Sequence, residues 1–387
     1  MPVITCVEDL RRLHQARAPR MFWDYCESGS YSEQTFRENT SDFSLIRLRQ
    51  RVARDLSGRD VSARMLGQKV TMPVAIAPTG SAGMQRADGE ILGARAAAKF
   101  GVPFTLSTFS ICSIEDVHQA SPEPFWFQLY VMRDHDFVAD LIGRAKRAGC
   151  SALVLTLDLQ VMGQRHKDLK NGLSAPPRLT LPNMLNMMTR PGWCLGMART
   201  SRRTFRNVFG HAKGVKDMQS LASWSNESLE PCLDWAMVAR IRAQWGGKLV
   251  LKGILDAEDA RMARDAGADA IVVSNHGGRQ LDGAYSAIRM LPSILRAVDG
   301  GCEVWLDSGI RTGQDVLKAL ALGATGTMIG RAWLYGLGAM GEPGVTRVLE
   351  ILRDELDITM ALCGERKLAD LGCHNLSLPK DFEPPAD

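Results

Sequence analysis

A histidine and an arginine stand three positions apart in the segment 274–283, which reads SNHGGRQLDG. The apolar run 270–273 precedes it, so a buried strand is predicted to end in a turn that presents His276 and Arg279 side by side. An imidazole can take a proton near neutral pH, and a guanidinium can hold a carboxylate through two parallel hydrogen bonds. A base beside an anion clamp is the minimum needed to oxidise an alcohol that carries a carboxylate.

Four further side chains could complete this arrangement. Arg165, in the loop after another predicted strand, would form a two-arginine carboxylate site with Arg279. Asp158 could orient the histidine of the turn and stabilise its protonated form. Tyr25 and Tyr130 are two of only five tyrosines, and their hydroxyls could bond a substrate. The ordinary alternatives are a surface arginine and a packed tyrosine with a solvated tip.

The elements that must position these residues are short apolar runs that recur along the chain. They begin near residues 74, 103, 125, 152, 248, 270, 304 and 325, with helical patterns at 88–100, 134–148, 256–266 and 312–322. All spacings but one fit a strand, a helix and two short loops, and the apolar runs are typical of parallel strands covered on both faces. Eight such units predict an α/β fold, a (β/α)8 TIM barrel, and a doubly wound sheet is the weaker alternative.

Polar and turn residues stand at the carboxyl ends of these runs, where a barrel carries its catalytic loops. They include Pro78, Thr79, Gly80, Ser107, Gln128, Thr156, Lys252 and Ser274. The side chains that suit the heteroatom edge of a flavin are those of Ser107, Gln128, Thr156 and Lys252. Reduced flavin carries negative charge that a cation stabilises. The alternatives are satisfied groups in the barrel mouth and, for Lys252, a salt bridge to a neighbouring strand's aspartate.

The last two predicted strands end in turns that combine glycine with arginine. Glycine lets backbone N–H groups approach an anion, arginine adds charge, and a helix start follows each turn. Barrels typically form their phosphate sites after the seventh and eighth strands. A phosphate site is therefore predicted here, with ordinary turn glycines and solvated arginines as the alternative. Its residues are Asp307, Gly309, Arg311, Gly330 and Arg331.

Composition limits the class of protein. The 387 residues are 45% hydrophobic and 23% charged, as in a globular protein with a sizeable core. Nine scattered cysteines without a C-x-x-C pair argue for reduced thiols, and against disulfides or a metal site. The N-terminus lacks the pattern of a signal peptide, and no apolar stretch is long enough to span a bilayer. We therefore expect a protein that is made and kept in the cytoplasm.

A long insertion, at about 170–230, follows the fourth predicted strand. From residue 169 to residue 216 there are nine bases and no Asp or Glu, although the whole chain has a net charge of only +4. Met, Leu and Trp interleaved with arginine suit an anionic membrane surface, so peripheral contact with the cytoplasmic face of the inner membrane is predicted. A disordered or self-packing lid is the alternative. Nucleic acid is a poorer candidate, because no recognition module is present.

Residues 336–341 match the G-x-G-x-x-G pattern of nicotinamide-binding turns. The match lies where a helix is predicted and not at a strand-to-helix turn. A motif outside its structural context is weak evidence, so no nicotinamide cofactor is predicted.

The motifs together resemble those of the FMN-dependent L-2-hydroxy acid dehydrogenase/oxidase family. The resemblance runs from about residue 18 to residue 366 and includes PTG at 78–80, FQLY at 127–130, LKG at 251–253, LDSGIRTG at 306–313 and IGR at 329–331. It implies a barrel fold, FMN as cofactor and a homotetramer. It also implies that His276 is the catalytic base, with Asp158 as its partner.

The resemblance implies further roles by position. The carboxylate clamp would be Arg165 and Arg279, with Tyr25 and Tyr130 binding the substrate. The flavin contacts would be Thr79, Ser107, Gln128, Thr156, Lys252 and Ser274, and the ribityl and phosphate contacts would be Asp307, Gly309, Arg311, Gly330 and Arg331. Two features differ from the oxidases. Gly80 stands where they commonly have alanine, which leaves room for a larger side chain or meets a turn requirement, and the loop after the fourth strand lacks their early Pro or Thr.

The chain is therefore expected to form one barrel domain over residues 1–387. The expected reaction is oxidation of an L-2-hydroxy acid, with L-lactate to pyruvate favoured by the likeness to respiratory members of the family and with electrons passing to the quinone pool. Mandelate or a longer 2-hydroxy acid is the next substrate candidate. A soluble oxidase that makes peroxide is a further alternative, and an FMN-binding barrel with another duty is disfavoured by the histidine and paired arginines.

Overall fold

The computed structural model describes residues 3–121, 123–173, 180–212, 215 and 228–384. Its central element is an eight-stranded sheet in which neighbouring strands run parallel. The strands of the described residues are β1 (Arg47–Leu48), β2 (Ala63–Met65), β3 (Gln68–Val70), β4 (Val74–Ile76), β5 (Thr105–Ser107), β6 (Trp126–Leu129), β7 (Ala152–Thr156), β8 (Lys248–Ile254), β9 (Ala270–Val273), β10 (Glu303–Leu306), β11 (Gly326–Ile329) and β12 (Leu376–Ser377).

Strands β4 to β11 form a barrel. Their order in the sheet is β4-β11-β10-β9-β8-β7-β6-β5, so strands that follow one another in the chain lie side by side and the first pairs with the last. A parallel bridge between Ile76 and Phe104 joins β4 to the residue before β5 and closes the ring. All eight predicted strands and the predicted (β/α)8 TIM barrel are confirmed. Uniform burial explains why the runs read as apolar, because both faces of each strand are covered.

Helices surround this barrel. In the described residues they are α1 (Val7–Arg17), α2 (Arg20–Cys26), α3 (Gln34–Leu45), α4 (Ala82–Gln85), α5 (Gly89–Phe100), α6 (Ile114–Ala120), α7 (His135–Arg147), α8 (His166–Lys170), α9 (Leu181–Met188), α10 (Pro191–Arg199), α11 (Trp235–Trp245), α12 (Ala257–Asp265), α13 (Ala287–Val298), α14 (Gly313–Ala321), α15 (Arg331–Met340) and α16 (Glu342–Leu362), with 3-10 turns at Leu368–Asp370 and Cys373–Asn375.

The four helices predicted from sequence are confirmed to within one residue at each end. Asp134, Asp256 and Thr312 accept hydrogen bonds from first-turn N–H groups, as N-cap residues do. Asp88 differs, because its φ of 58° places it in the left-handed region and its side chain does not cap α5. Its carboxylate accepts hydrogen bonds from Thr200 and Arg202 of the insertion.

The barrel interior is filled on the side of the β2–β3 hairpin. Trp126 and Trp305 stack there, with ring centroids 5.1 Å apart and planes 9° from parallel. Met65 of the hairpin and Met328 of β11 pack in the same buried cluster. Since this end is closed by side chains, the space for a ligand lies at the carboxyl ends of the strands.

The predicted insertion separates β7 from β8 and carries α8, α9 and α10. Its later part is bound to the barrel, because Arg206 pairs with Asp116 at 2.8 Å. The buried amide of Asn207 also accepts a hydrogen bond from Ile114 N and donates one to Ser110 Oγ. Neither α9 nor α10 has a buried residue. Residues 174–179, 213–214 and 216–227 of the predicted insertion lie outside the described part of the chain.

The G-x-G-x-x-G pattern lies within α15 and at its end, and its glycines serve helix packing. A Cβ on Gly338 would collide with the His14 ring of α1. One on Gly336 would collide with the Gly344 carbonyl of α16. The prediction that the pattern lies in a helix and not at a strand-to-helix turn is confirmed.

Candidate active site

A cleft opens at the carboxyl ends of the barrel strands, and most of the predicted site residues line it. Those that line it are Tyr25, Pro78, Thr79, Gly80, Ser107, Tyr130, Arg165, Lys252, His276, Arg279, Asp307, Gly309, Arg311, Gly330 and Arg331. The other predicted residues, Asp158, Gln128, Thr156 and Ser274, lie behind this lining, and the last three are buried. Side chains from loops more than two hundred residues apart in the chain therefore converge on one cavity.

His276 lies at the centre of a hydrogen-bonded row. Its Nδ1 is 2.9 Å from Asp158 Oδ1, and its Nε2 is 3.4 Å from the Tyr130 hydroxyl. A carboxylate only accepts, so Nδ1 carries the proton and Nε2 of the neutral ring keeps its lone pair. Burial, with Asp158 nearby, raises the pKa of Tyr130, so its hydroxyl stays protonated and can donate. The row can therefore take a proton at Nε2 and stabilise the resulting imidazolium.

Local backbone geometry fixes this row. His276 has a φ of 58°, an unfavourable left-handed conformation for a side-chain-bearing residue, and its N–H donates to Ser274 Oγ at 3.1 Å. Gly253, at a φ of 101°, lies against Asp158, and a Cβ there would stand 2.6 Å from the carboxyl carbon. The positions of the imidazole and of its carboxylate partner thus depend on backbone sites where most residues would not fit.

Two guanidiniums share the cleft with the imidazole. The Arg279 guanidinium carbon lies 4.6 Å from the Tyr25 ring centroid, and Nη1 donates to the Tyr25 carbonyl at 2.6 Å. Arg165 pairs with Asp168, with Nε 2.6 Å from Oδ2. Burial, with Arg165 nearby, lowers the pKa of Arg279 to about 10, which leaves it charged at neutral pH. Among the described residues Arg279 has no carboxylate partner, so the cleft holds a positive charge that an entering anion would balance.

Lys252 forms an ion pair inside the cleft. Its Nζ is 2.7 Å from Asp307 Oδ2 and 3.0 Å from Ser274 Oγ. Burial alone would lower the pKa of Lys252, but Asp307 and Asp158 raise it more, so the ammonium stays charged. The salt-bridge alternative for Lys252 is therefore correct as a contact. It does not remove the cation from the cleft, because Lys252 also lines the cavity.

The glycine-arginine turns also line the cleft. Gly309 has a φ of 103°, and a Cβ there would collide with the Asn39 carbonyl. Arg331 donates to the carbonyls of Cys26, Gly277 and Ser28 at 2.7–2.9 Å. No carboxylate among the described residues pairs with Arg331. Burial lowers the pKa of Arg331, as expected for a cation without a counter-ion.

Sequence reasoning missed two side chains that hold the site together. Gln280 donates to the Asp158 and Val161 carbonyls at 2.7 and 2.8 Å, so it ties the loop after β7 to the turn that carries the histidine. Asp168 pairs with Arg165 across one helical turn. The i, i+3 spacing of an arginine and an aspartate could have revealed the second pair. Nothing in the sequence indicates the partners of Gln280.

Three uncharged side chains behind or along the lining each have a buried polar atom with no hydrogen-bond partner among the described residues. These atoms are Thr79 Oγ1, Gln128 Nε2 and Thr156 Oγ1. Buried polar groups are nearly always satisfied, so such a cluster beside an open cleft indicates a polar ligand. Two hydroxyls and an amide suit the heteroatom edge of a flat, polar ring system.

The chain was compared with known proteins. Residues 14–378 match the family model of the FMN-dependent dehydrogenases. The chain belongs to this family. An L-lactate dehydrogenase of Haemophilus influenzae is 44% identical over 370 residues, which are 95% of this chain and 97% of that protein.

Two solved structures also match nearly the whole chain. A monotopic membrane protein, (S)-mandelate dehydrogenase, has a TM-score of 0.93 and 36% identity, covering 98% of this chain and all of that one, 100%. A mandelate oxidase has a TM-score of 0.82 and 35% identity, covering 97% of this chain and 98% of that one. The chain is thus an FMN-dependent 2-hydroxy acid dehydrogenase, and its cofactor is FMN.

The cleft fits this cofactor. The unsatisfied atoms of Thr79, Gln128 and Thr156 suit the polar edge of a flavin ring. The glycine-arginine turns, with an arginine that lacks a carboxylate partner in the described residues, suit its phosphate. In the part of the chain that the structure describes, no helix is both long and apolar enough to cross a membrane.

Proposed function

We propose that this protein oxidises L-lactate to pyruvate and passes the electrons to a membrane quinone. The observation that carries the proposal is the cleft that joins a carboxylate-oriented imidazole to a guanidinium with no carboxylate partner among the described residues. FMN, when bound, supplies the two-electron acceptor. The remaining chemistry belongs to the side chains of the cleft.

Arg165 and Arg279 would hold the substrate carboxylate. Charge-assisted, two-pronged hydrogen bonds fix both the position and the orientation of a carboxylate. Asp168 and the Tyr25 carbonyl already restrain the two guanidiniums, so little side-chain entropy is lost when the substrate enters. This clamp would turn the substrate hydroxyl and Cα toward the histidine.

His276 would take a proton from the substrate at Nε2. Asp158 keeps the opposite ring nitrogen protonated and stabilises the positive charge that develops on the ring. The Tyr130 hydroxyl, close to Nε2, would donate to the substrate oxygen. Tyr25, which also lines the cleft, would supply a second hydroxyl.

The cofactor would be held by the lining in two parts. The ring would contact the strand ends, where Lys252 offers a charged ammonium that stabilises negative charge on reduction. The ring contacts would be Pro78, Thr79, Gly80, Ser107, Gln128, Thr156, Lys252 and Ser274. The ribityl and phosphate contacts would be Asp307, Gly309, Arg311, Gly330 and Arg331.

L-lactate is proposed because the named lactate dehydrogenase matches nearly the whole chain. A bulkier acid is the second candidate, because Gly80 has no side chain to occupy the cleft. A Cβ at this position would lie 3.4 Å from the Tyr25 hydroxyl and from the Phe109 carbonyl, so its absence leaves space beside both. Anaerobic mixing with a panel of L-2-hydroxy acids tests this, with loss of flavin absorbance as the readout. We expect L-lactate to bleach the flavin fastest and D-lactate to leave it oxidised. Faster bleaching by L-mandelate would overturn the substrate, and no bleaching by any acid would overturn the reaction.

Membrane contact is proposed because α9 exposes its apolar face to solvent and turns polar side chains toward the rest of the chain. Leu181, Met184, Leu185 and Met188 are spaced as one helical stripe and are 64%, 44%, 55% and 74% exposed. On the opposite face, Asn183 and Asn186 bond the Asn171 carbonyl and the Arg20 N–H. A globular helix buries its apolar stripe, whereas this one presents the stripe outward. Such a helix suits the interface of a bilayer.

Quinone is proposed as the electron acceptor because quinone lies in the membrane to which the dehydrogenase is proposed to attach. Oxygen is the alternative acceptor, as the mandelate oxidase match illustrates. Purified holoenzyme with L-lactate should reduce a short-chain quinone much faster than it consumes oxygen. Stoichiometric peroxide formation without added quinone would overturn this part of the proposal. The homotetramer implied by the family resemblance stays a prediction, which the molar mass from light scattering can test.

A further inference from the structure

A second cavity lies between α10 and the barrel, away from the active-site cleft. Four arginines line it, Arg17, Arg86, Arg190 and Arg199, and Trp193 forms part of its wall. We call it the arginine cavity. Residues of α1, α10 and α15 and of the segment between α4 and α5 contribute to it, so it exists only because the insertion folds back onto the barrel.

The charge of the arginine cavity is poorly balanced. Asp88 is the one carboxylate among its described lining residues. That carboxylate is already engaged, because Thr200 Oγ1 donates to it at 2.8 Å and Arg202 Nη1 lies 3.1 Å away. Four arginines therefore line a cavity whose one described carboxylate, that of Asp88, is already bonded to Thr200 and Arg202.

Two of the four arginines have no partner among the described residues. Arg17 donates to the Ala339 carbonyl and Arg190 donates to the Ala18 carbonyl, at the ends of α15 and α1. In contrast, the side chains of Arg86 and Arg199 make no hydrogen bond or ion pair within the described part of the chain. Partial burial, with Arg17 nearby, lowers the pKa of Arg86, although the residue remains exposed to solvent.

The cavity lies against the segment proposed to meet the membrane. Along α10, Trp193, Gly196 and Arg199 line the cavity, while Leu195 is 52% exposed. Thr189 and Arg190, which follow α9, line it as well. A ligand here would lie close to uncovered apolar side chains. The ligand that matches this arrangement is an anion attached to an apolar chain.

We propose that the arginine cavity binds the phosphate headgroup of an anionic phospholipid. Arginine recognises phosphate with charge-assisted, two-pronged hydrogen bonds, and two guanidiniums here have donors to offer. The acyl chains would extend beside the exposed stripe of α9. This inference rests on the membrane contact of the proposed function, and it adds a specific lipid class to that contact.

Vesicle binding of the FMN-loaded full chain tests the proposal. We would compare phosphatidylcholine vesicles with vesicles that also contain phosphatidylglycerol, using Arg86→Gln, Arg199→Gln and, as matched control, Lys170→Gln. Lys170 is an exposed base at the end of α8 that does not line the cavity. A base near an anionic surface contributes about fivefold in partitioning, so the unmodified chain should prefer anionic vesicles strongly. Each cavity substitution should reduce that preference by about tenfold or more, and the control by about fivefold or less.

The outcomes separate the proposals. If neither vesicle binds the unmodified chain, the membrane contact itself is wrong. If vesicles bind but Arg86→Gln and Arg199→Gln match Lys170→Gln, the attraction is diffuse and the headgroup site is wrong. Dialysis against labelled inorganic phosphate separates the two sources of phosphate. Phosphate binding that Arg86→Gln abolishes, together with unchanged vesicle binding, would show a site for a free anion and overturn the lipid. Flavin absorbance and the thermal midpoint show whether each variant is folded.

Discussion

The barrel mouth and helix α9 each contain side chains that lack suitable partners, but the side chains are polar at the mouth and apolar on the helix. At the mouth, polar atoms of Thr79, Gln128 and Thr156 are buried without a hydrogen-bond partner among the described residues. On α9, Leu and Met side chains are 44–74% exposed while the asparagines bond the rest of the chain. Polar groups lack polar partners in one region, and apolar groups lack apolar cover in the other.

Each kind of deficit indicates the chemistry of a missing partner. A buried polar group without a partner costs about 1–3 kcal/mol, and an exposed Leu or Met forgoes about 1.5–3 kcal/mol of burial. A fold carries such costs where a ligand offsets them. The mouth therefore suits a flat polar cofactor and an anionic substrate, and the exposed stripe of α9 suits the bilayer contact proposed above.

The largest expected effect comes from the histidine at the mouth. His276→Ala should bind FMN yet slow flavin reduction by L-lactate about 10²–10⁴-fold, because general base catalysis is lost. Stopped-flow absorbance measures this. His166→Ala is the matched control, since His166 is exposed and does not line the cleft. Near-normal bleaching in His276→Ala would refute the assignment of the base.

The carboxylate clamp comes next. Arg279→Met should lower kcat/KM for L-lactate about 10- to 150-fold, the cost of losing a hydrogen bond between charged groups. Arg240→Met, an exposed arginine of α11, should leave kcat/KM unchanged. Steady-state kinetics with an artificial dye measures both variants. Equal values in the two would show that Arg279 does not contact the substrate.

The matching change on α9 should affect location and not chemistry. Leu185→Ser together with Met188→Ser should lower vesicle partitioning about 10- to 150-fold for each side chain, because each loses about 1.5–3 kcal/mol of burial. Dye-linked turnover should stay within about twofold, since no chemistry is proposed for this helix. Ile358→Ser, which alters an equally uncovered side chain of α16, is the control at 57% exposure. Co-sedimentation that is unchanged from the unmodified chain would remove α9 from the membrane contact.

Substitutions on α9 test this more cleanly than removal of residues 177–214. That deletion would also remove Asn207, whose buried amide bonds Ile114 and Ser110, and Arg206, which pairs with Asp116. A loss of activity after the deletion would therefore not report on the membrane alone.

The smallest expected effect is a pH dependence of substrate affinity. Arg279 carries its positive charge when protonated, and its pKa is lowered to about 10. The guanidinium is therefore fully charged at neutral pH and loses its charge as the pH rises through 10. KM for L-lactate should therefore be flat through neutral pH and rise about twofold as the pH reaches 10. Circular dichroism at each pH excludes unfolding. A KM that is flat through pH 11 in the folded enzyme would show that the Arg279 guanidinium keeps its charge above pH 10, and the comparison of Arg279→Met with Arg240→Met would then decide its role.

The barrel was predictable from sequence because its signals are local. Each barrel strand lies in a short, mostly apolar run, and Asp134, Asp256 and Thr312 mark helix starts by the hydrogen bonds they accept. Asp88 looks the same in the sequence, yet its carboxylate bonds Thr200 and Arg202 more than a hundred positions away. Only a folded chain reveals that use.

The candidate site was predictable as a set of residues but not as a geometry. The turn of His276 and Arg279 supplied the proposed base and one arm of the proposed clamp, because their spacing is short. The sequence did not reveal that Gln280 joins two loops, since its partners Asp158 and Val161 lie in a loop far away in the chain. The arginine cavity was also invisible, because its lining comes from elements far apart in the chain.

The sequence by itself determined the strands, the helices, the order of strand-end residues and the basic, apolar character of the insertion, because each depends on neighbouring residue types. Tertiary structure alone decided that His276 Nδ1 bonds Asp158, that Lys252 pairs with Asp307, and that α9 turns its leucines and methionines outward. These outcomes depend on distances between segments that barrel closure brings together. Periodicity fixes which face of a helix is apolar, and only packing fixes where that face points.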